Sequence, residues 1–247
     1  MANRFLRAQS LLGQQNMALL SKKRVAIFGL GGVGGYAAEG LARSGIAHFL
    51  LVDGDDICLS NFNRQIIATS GNEGVNKALA MAKRILSINP EAEIDARPCF
   101  FSESTEKDFA WEGYDYIIDC VDDIPAKIRL AEIAAQNGIS LISAMGAGNK
   151  ISPGLLQVAD IYETAVDPLA RVLRRELKKR GIPKLKVVYS REKPLPVERE
   201  GLEEEGGTSI KKFVPGSLVF VPASMGLLLA AEVIKDLTGI RNDEPGC

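Results

Sequence analysis

Histidine is almost absent: one residue, His48, in 247. It stands at the start of an apolar run, so histidine-based acid–base catalysis or metal ligation has little to work with. Cysteine is scarce and scattered. Cys58, Cys99, Cys120 and Cys247 form no CxxC pair, which excludes a four-cysteine zinc site and argues against a disulfide framework at this size. A reducing cytoplasm is the expected compartment. The opening "MANRFLRAQSLLGQQ" lacks the apolar centre of a secretory leader.

Net charge of one sign is missing too, at -1 overall, so no global field advertises nucleic acid or membrane. The balance hides a local excess: residues 171–193 carry ten Lys/Arg against two Glu. Uninterrupted apolar runs are equally rare. Residues 213–231, "FVPGSLVFVPASMGLLLAA", hold no charge over 19 residues, the length of a membrane span. Pro215, Gly216, Ser217, Pro222 and Ser224 break the run, however. It reads as a strand, Ser217–Val221, followed by a buried helix that Pro222 opens and Gly239 ends. No membrane span is expected.

What is present is a regular alternation of strand and helix from Arg24 to Met145. "RVAIFGL", "HFLLVD", "AEIDARP", "YDYIIDCVD" and "SLISAMG" read as strands. Between them lie "GGYAAEGLARSG", "NKALAMAKRILSI" and "PAKIRLAEIAAQNG" at helical spacing. The pattern predicts an α/β fold: a Rossmann-like, mostly parallel, doubly wound sheet. Beyond Gly146 it weakens. "GLLQVADIYET" suggests an antiparallel extension in the C-terminal part. "DPLARVLRRELKKRG" is an amphipathic helix capped by Asp167. Residues 190–212 read as an exposed crossover loop. One domain over 1–247 is expected, with a nucleotide-binding core at 24–147 and a substrate-facing part at 148–240.

The chemistry begins at "GLGGVGGY", which places Gly29, Gly31, Gly32 and Gly34 between a strand and a helix. Glycines let the backbone approach a phosphate that the helix N-terminus attracts. Asp53, at the end of the second strand, suits ribose hydroxyls. These features fit NAD and ATP alike. "DGDDICLSNFNRQ" separates the two. A dinucleotide needs no cation cluster after its second strand, whereas a triphosphate attacked at its α-phosphorus does. Arg64 and Lys77 suit the β- and γ-phosphates, and Asn61 a phosphate oxygen. Asp55 and Gln65 belong to the same nucleotide-binding set. Asp122, at the sheet's carboxyl edge, suits Mg²⁺ and is preferred over its rivals Asp119 and Asp123.

The glycine loop, "DGDDICLSNFNRQ", Lys77 and "DCVDD" together resemble the E1-like superfamily of adenylating enzymes. The resemblance implies ATP and Mg²⁺ as cofactors, with no zinc. "RFLRAQ" resembles the opening segment whose arginine enters the partner subunit's ATP site. That implies a homodimer with Arg7 acting in trans, Arg4 being the rival. Two features depart from the superfamily's better-known members: the zinc cysteines of sulfur-carrier activators are missing, and no cysteine lies between Cys120 and Cys247 to form a thioester.

The basic helix, the acidic crossover and the ending "KFVPGSLVFVPASMGLLLAAEVIKDLTG" resemble the tRNA threonylcarbamoyladenosine dehydratase branch. That resemblance implies ATP-dependent cyclisation of the threonylcarbamoyl group on adenosine 37 of ANN-decoding tRNAs. Adenylating a carboxylate installs a leaving group, and the neighbouring carbamoyl nitrogen can then close a ring without an enzyme nucleophile. Adenylation of a sulfur-carrier C-terminus is the alternative. Arg171, Arg174, Arg175, Lys178 and Lys179 are the candidate tRNA contacts, with a solvated helix face as the competing reading. The branch's sulfur-relay association suggests a cysteine desulfurase or sulfur-acceptor partner.

Overall fold

The computed structural model describes residues 4–197 and 215–240. Seven strands form one sheet in the order β3-β2-β1-β4-β5-β7-β6. They are β1 (Arg24–Phe28), β2 (His48–Val52), β3 (Glu93–Arg97), β4 (Tyr116–Asp119), β5 (Ser140–Ala144), β6 (Leu156–Asp160) and β7 (Lys186–Ser190). All neighbours pair in parallel except β6 and β7, which run antiparallel. The helices are α1 (Leu6–Leu12), α2 (Gln14–Leu20), α3 (Gly34–Arg43), α4 (Lys77–Ile88), α5 (Ile124–Asn137), α6 (Pro168–Lys179) and α7 (Phe220–Thr238). The Rossmann-like sheet and its antiparallel extension are as the sequence predicts.

Two expectations need correction. Residues 217–221 are not a strand, because α7 begins at Phe220. Pro222 sits in its first turn, where the missing N–H costs nothing. Val221, Met225, Leu229 and Val233 then bury one stripe at four-residue spacing. The seventh strand is instead β7, which takes Ser190 out of the expected 190–212 loop. Most of that loop lies outside the described residues. The sequence hid β7 behind its basic neighbours, although Val187, Val188 and Tyr189 are consecutively buried, as befits an interior strand covered on both faces.

Helix α7 supports the nucleotide-binding half directly. A Cβ at Gly226 would meet the Val33 carbonyl oxygen at 2.2 Å and the Ala37 nitrogen at 2.9 Å. One at Gly40 would meet Ala230 at 3.0 Å. The backbones of α3 and α7 therefore touch where α3 begins. Glu39, buried on α3, is held by Arg43 at 2.7 Å and by Arg84 of α4 at 2.6 Å. Among the described residues no helix is long and apolar enough to cross a membrane, and α7 turns its apolar stripe onto the sheet.

Gly226→Ala should destabilise the protein by about 1–3 kcal/mol through overpacking. The urea midpoint should fall with an unchanged slope, whereas Gly239→Ala, with nothing near the added methyl, should act only through its positive φ.

Candidate nucleotide site

The site lies at the carboxyl edge of β1, β2 and β4. Gly29 leaves β1 with φ +84°, and a Cβ there would sit 2.6 Å from the Cys120 carbonyl oxygen. At Gly34 a Cβ would lie 1.8 Å from the Gly29 oxygen. Neither position admits another residue, because the loop folds back on itself and against the β4–α5 turn. No side chain caps α3; in its first turn the Gly35 amide is taken by the Gly31 carbonyl at 3.1 Å, and the positive end of the helix favours an anionic ligand.

Asp53 ties this loop to the turn after β2. Its Oδ2 accepts the Leu30 amide at 2.6 Å and its Oδ1 accepts the Asp55 amide at 2.9 Å. Burial raises its pKa above the ordinary carboxylate range, and the Lys77 charge pulls in the opposite direction. Asn76 braces the same turn. Its Nδ2 donates to the Asp53 and Asp55 carbonyls at 3.2 and 3.0 Å, while its Oδ1 caps α4. The sequence offered a signal for Asn76, a cap residue directly before a periodic helix, but not for its cross-brace.

Lys77 is buried at the start of α4, its Nζ 2.6 Å from Asp55 Oδ2. The two therefore occur as a pair, with Asp55 holding the ammonium. Asn61 is buried in a 3-10 turn, Leu59–Asn61, where its Oδ1 faces the Cys58 amide at 3.4 Å. Arg64 is half-buried and donates to the Ser60 carbonyl at 2.7 Å; its Cγ lies 3.5 Å from where a Gly32 Cβ would be. Gln65 is buried beside Gly31, its Nε2 3.8 Å from a Cβ there. Its Oε1 is buried with no hydrogen-bond partner. Such an atom calls for a ligand: a hydroxyl or hydrated cation meets the oxygen, and a half-turn of the amide offers its N–H₂ to a phosphate. The residues present thus fit a nucleoside triphosphate.

The three acidic residues at the end of β4 and just beyond it divide their work. Asp119 is buried with Lys127 at 3.0 Å and also accepts from Ser143 and the Val121 amide. Asp123 caps α5 through the Ala126 amide at 2.9 Å. Asp122 is exposed at the sheet edge between them. Among the described residues no three potential ligands cluster around a metal position, and Mg²⁺ needs no such cage when phosphate oxygens complete its shell. Cys120 is inert: burial pushes its thiol far up.

Arg7 is exposed on α1, away from this edge. Neighbouring Arg4 donates to the carbonyl of Ile88 at 2.7 Å. Ile88 ends the helix that Lys77 begins, about 17 Å away at 1.5 Å per residue. The structure does not bring Arg7 to the site of its own chain.

Helix α6 runs from the carboxyl edge, where Asp167 is buried against Lys150 at 3.1 Å, down to the amino end of β7. Arg174, half-exposed, reaches to the Thr164 carbonyl at 2.6 Å and to the Thr164 hydroxyl. Arg175, Lys179 and Arg180 converge on Glu176, whose pKa their hydrogen bonds, Lys179 first, hold down to about 2. Arg171 and Lys178 are exposed.

A model of the ThiF family matches residues 3–246. The chain belongs to the ThiF family. Its relatives include the tRNA threonylcarbamoyladenosine dehydratase of Bacillus subtilis, 41% identical over 96% of this chain and 95% of that protein. The dehydratase of Escherichia coli is 40% identical over 71% of this chain and 65% of its own length. Crystal structures of the E. coli enzyme with AMP and with ATP superpose with TM-scores of 0.85 and 0.84, at 33% and 32% identity. Each covers 96% of this chain and 94% of the E. coli chain. The fold is thus shared with an enzyme whose crystal structures hold AMP and ATP.

In this ThiF-family chain, Asp53's folded-state pKa exceeds its ordinary 3.8. Stability tied to it is present below that value and is lost as pH rises through the raised one. Removing the Lys77 charge should move the Asp53 titration further up. Carboxyl NMR of Lys77→Met against the unaltered protein should show that direction, and a downward move would contradict it.

Proposed function

We propose that this chain uses ATP to cyclise N6-threonylcarbamoyladenosine in tRNA. What carries the reading is that similarity to the dehydratases runs through the later half of the chain as well as the nucleotide-binding half. The threonyl carboxylate is a poor electrophile. An oxygen of it attacks the α-phosphorus, the bond to the bridging oxygen breaks, and pyrophosphate leaves. The carbamoyl group then closes onto the activated carbonyl and AMP departs with the carboxylate oxygen, so the net change in the nucleoside is loss of water. Ring closure within one substrate needs positioning more than an enzyme nucleophile.

Asp53 holds the ribose, and the glycine loop with the first turn of α3 holds phosphate. Arg64 and Lys77 neutralise the β- and γ-phosphates, Lys77 passing from Asp55 to the triphosphate, while Asn61 bonds a phosphate oxygen. Mg²⁺, when bound, would be held by Asp122 and would supply charge neutralisation. Arg171, Arg175, Lys178 and Lys179 offer cations for the tRNA backbone, with Glu176 tempering them. Exposed Leu79 and Leu86 of α4 and Leu227 of α7 give an apolar face suited to a homodimer, and the remoteness of Arg7 from its own site supports its action in trans. A reducing cytoplasm is the compartment that this chemistry and the free thiols of Cys58, Cys99 and Cys120 suit.

Incubated with ATP, Mg²⁺ and threonylcarbamoyl-modified tRNA, the protein should release AMP and pyrophosphate and convert the nucleoside to its cyclic form. Arg64→Ala and Lys77→Ala should each lower that release by about a hundredfold or more. AMP formation only with a carrier protein ending in Gly-Gly would overturn the assignment.

A second measurement tests the dimer. Arg7→Ala and Lys77→Ala should each be inactive alone. Mixed and allowed to exchange subunits, they should regain about a quarter of the activity, since half the dimers then carry one intact site. No recovery would place Arg7 outside the partner's site.

A further inference from the structure

The loop after β5 holds backbone strain that the nucleotide site does not use. Among the described residues only two non-glycines have positive φ, Asn149 at +58° and Val166 at +69°. Each stands directly before one partner of the buried pair Lys150–Asp167, whose charges meet at 3.1 Å. At Val166 the chain turns within three residues, the Asp167 amide donating to the Ala165 carbonyl at 2.8 Å. A β-branched residue adopts that conformation only where its surroundings impose it. Here the ion pair imposes it. Lys150 also donates to the Gly146 carbonyl at 2.5 Å, and Asp167 caps α6 through the Ala170 amide at 3.0 Å. Asn149 is pinned as well: its amide donates to the Gly216 carbonyl and its carbonyl accepts the Leu195 amide, each at 2.7 Å. So fixed, its side-chain Oδ1 is buried with no hydrogen-bond partner. An unmet buried acceptor on a strained backbone is doubly unfavourable, which marks the position as functional.

Strand order says what the oxygen is near. The parallel strands β1, β4 and β5 are lateral neighbours and end on the same edge. Asn149 follows β5, two strand spacings or about 10 Å from the end of β1. Residues 216 and 217 bridge part of that interval, since the Ser217 carbonyl accepts the Asn63 side-chain amide at 2.9 Å, next to Arg64. In the proposed reaction the threonyl carboxylate meets the α-phosphorus at the glycine loop. The carbamoyl group, a few bonds away, carries N–H donors and no cation. We infer that Asn149 Oδ1 accepts one of these N–H groups, which makes Asn149 a specificity-determining residue for the threonylcarbamoyl nucleoside. The inference rests on the proposed function, and it adds a contact to the nucleoside, apart from those to ATP. The oxygen lies beside Gly216, 3.5 Å from where a Cβ there would be. Residues 215–217 belong to no helix or strand, and their displacement admits the carbamoyl group.

The test compares binding of tRNA with and without the threonylcarbamoyl group, in the presence of an ATP analogue that cannot be cleaved. Asn149→Gly removes the acceptor yet adopts positive φ freely, so its melting temperature should stay close to that of the unaltered protein. Its preference for modified over unmodified tRNA should shrink by roughly tenfold. Affinity for unmodified tRNA and for ATP should not change. No preference in the unaltered protein, an unchanged preference in Asn149→Gly, or an equal loss of affinity for both tRNAs would overturn the contact while leaving the cyclisation reading intact. Failure of the unaltered protein to convert the modified tRNA with ATP would overturn both.

Discussion

One buried carboxylate holds the site together. Asp53 accepts the Leu30 amide with one oxygen and the Asp55 amide with the other. It thereby locks the glycine loop after β1 to the turn after β2. Each end of that clamp leads to a different part of the proposed triphosphate surroundings. Leu30 lies within the glycine loop, and Asp55 holds the Lys77 ammonium. Burying a carboxylate is unfavourable, which is why burial is the leading cause of Asp53's raised pKa. The Lys77 charge and the two amides offset that penalty. Those partners also belong to the proposed nucleotide-binding set.

The same arrangement recurs along the edge. Asp119 and Lys127 form a buried pair between β4 and α5, and Asp167 and Lys150 form another after β5. Removing one partner of such a pair strands a charge, so they hold the turns in one arrangement. Between these anchors Asp122 is left at the surface, and Asp123 is consumed as a helix cap. Three acidic residues within five positions thus acquire three different surroundings. From behind, α7 presses Gly226 against the start of α3. The glycine loop is consequently positioned from both sides, by a carboxylate in front and a helix backbone behind.

The later part of the chain shows how the same sheet is extended for a different surface. Strand β7 continues the parallel order beyond β5, and β6 closes the edge in antiparallel fashion. Helix α6 packs Ala170, Leu173 and Leu177 inward and leaves cations on its outer side. Glu176 gathers three of them, so the outward field is weaker than a count of basic residues suggests.

Local pattern alone determined the alternation of strands and helices up to Met145, the glycine turn, and the residue types that a triphosphate requires. These are properties of short segments: apolar periodicity, caps and glycine spacing are written within a few positions of one another. That Asp119 is structural was legible, because it ends a buried strand. Strand β7 and the true start of α7 were decided only by tertiary structure. A short strand is defined by the neighbours that pair with it, and apolar residues around a first-turn proline read equally well as strand or helix until one face finds its partner. The contact of Arg174 with Thr164, the brace of Asn76 and the orphaned oxygen of Gln65 were likewise invisible in the chain. Each depends on residues distant in sequence, brought within hydrogen-bond or van der Waals reach only when the sheet closes.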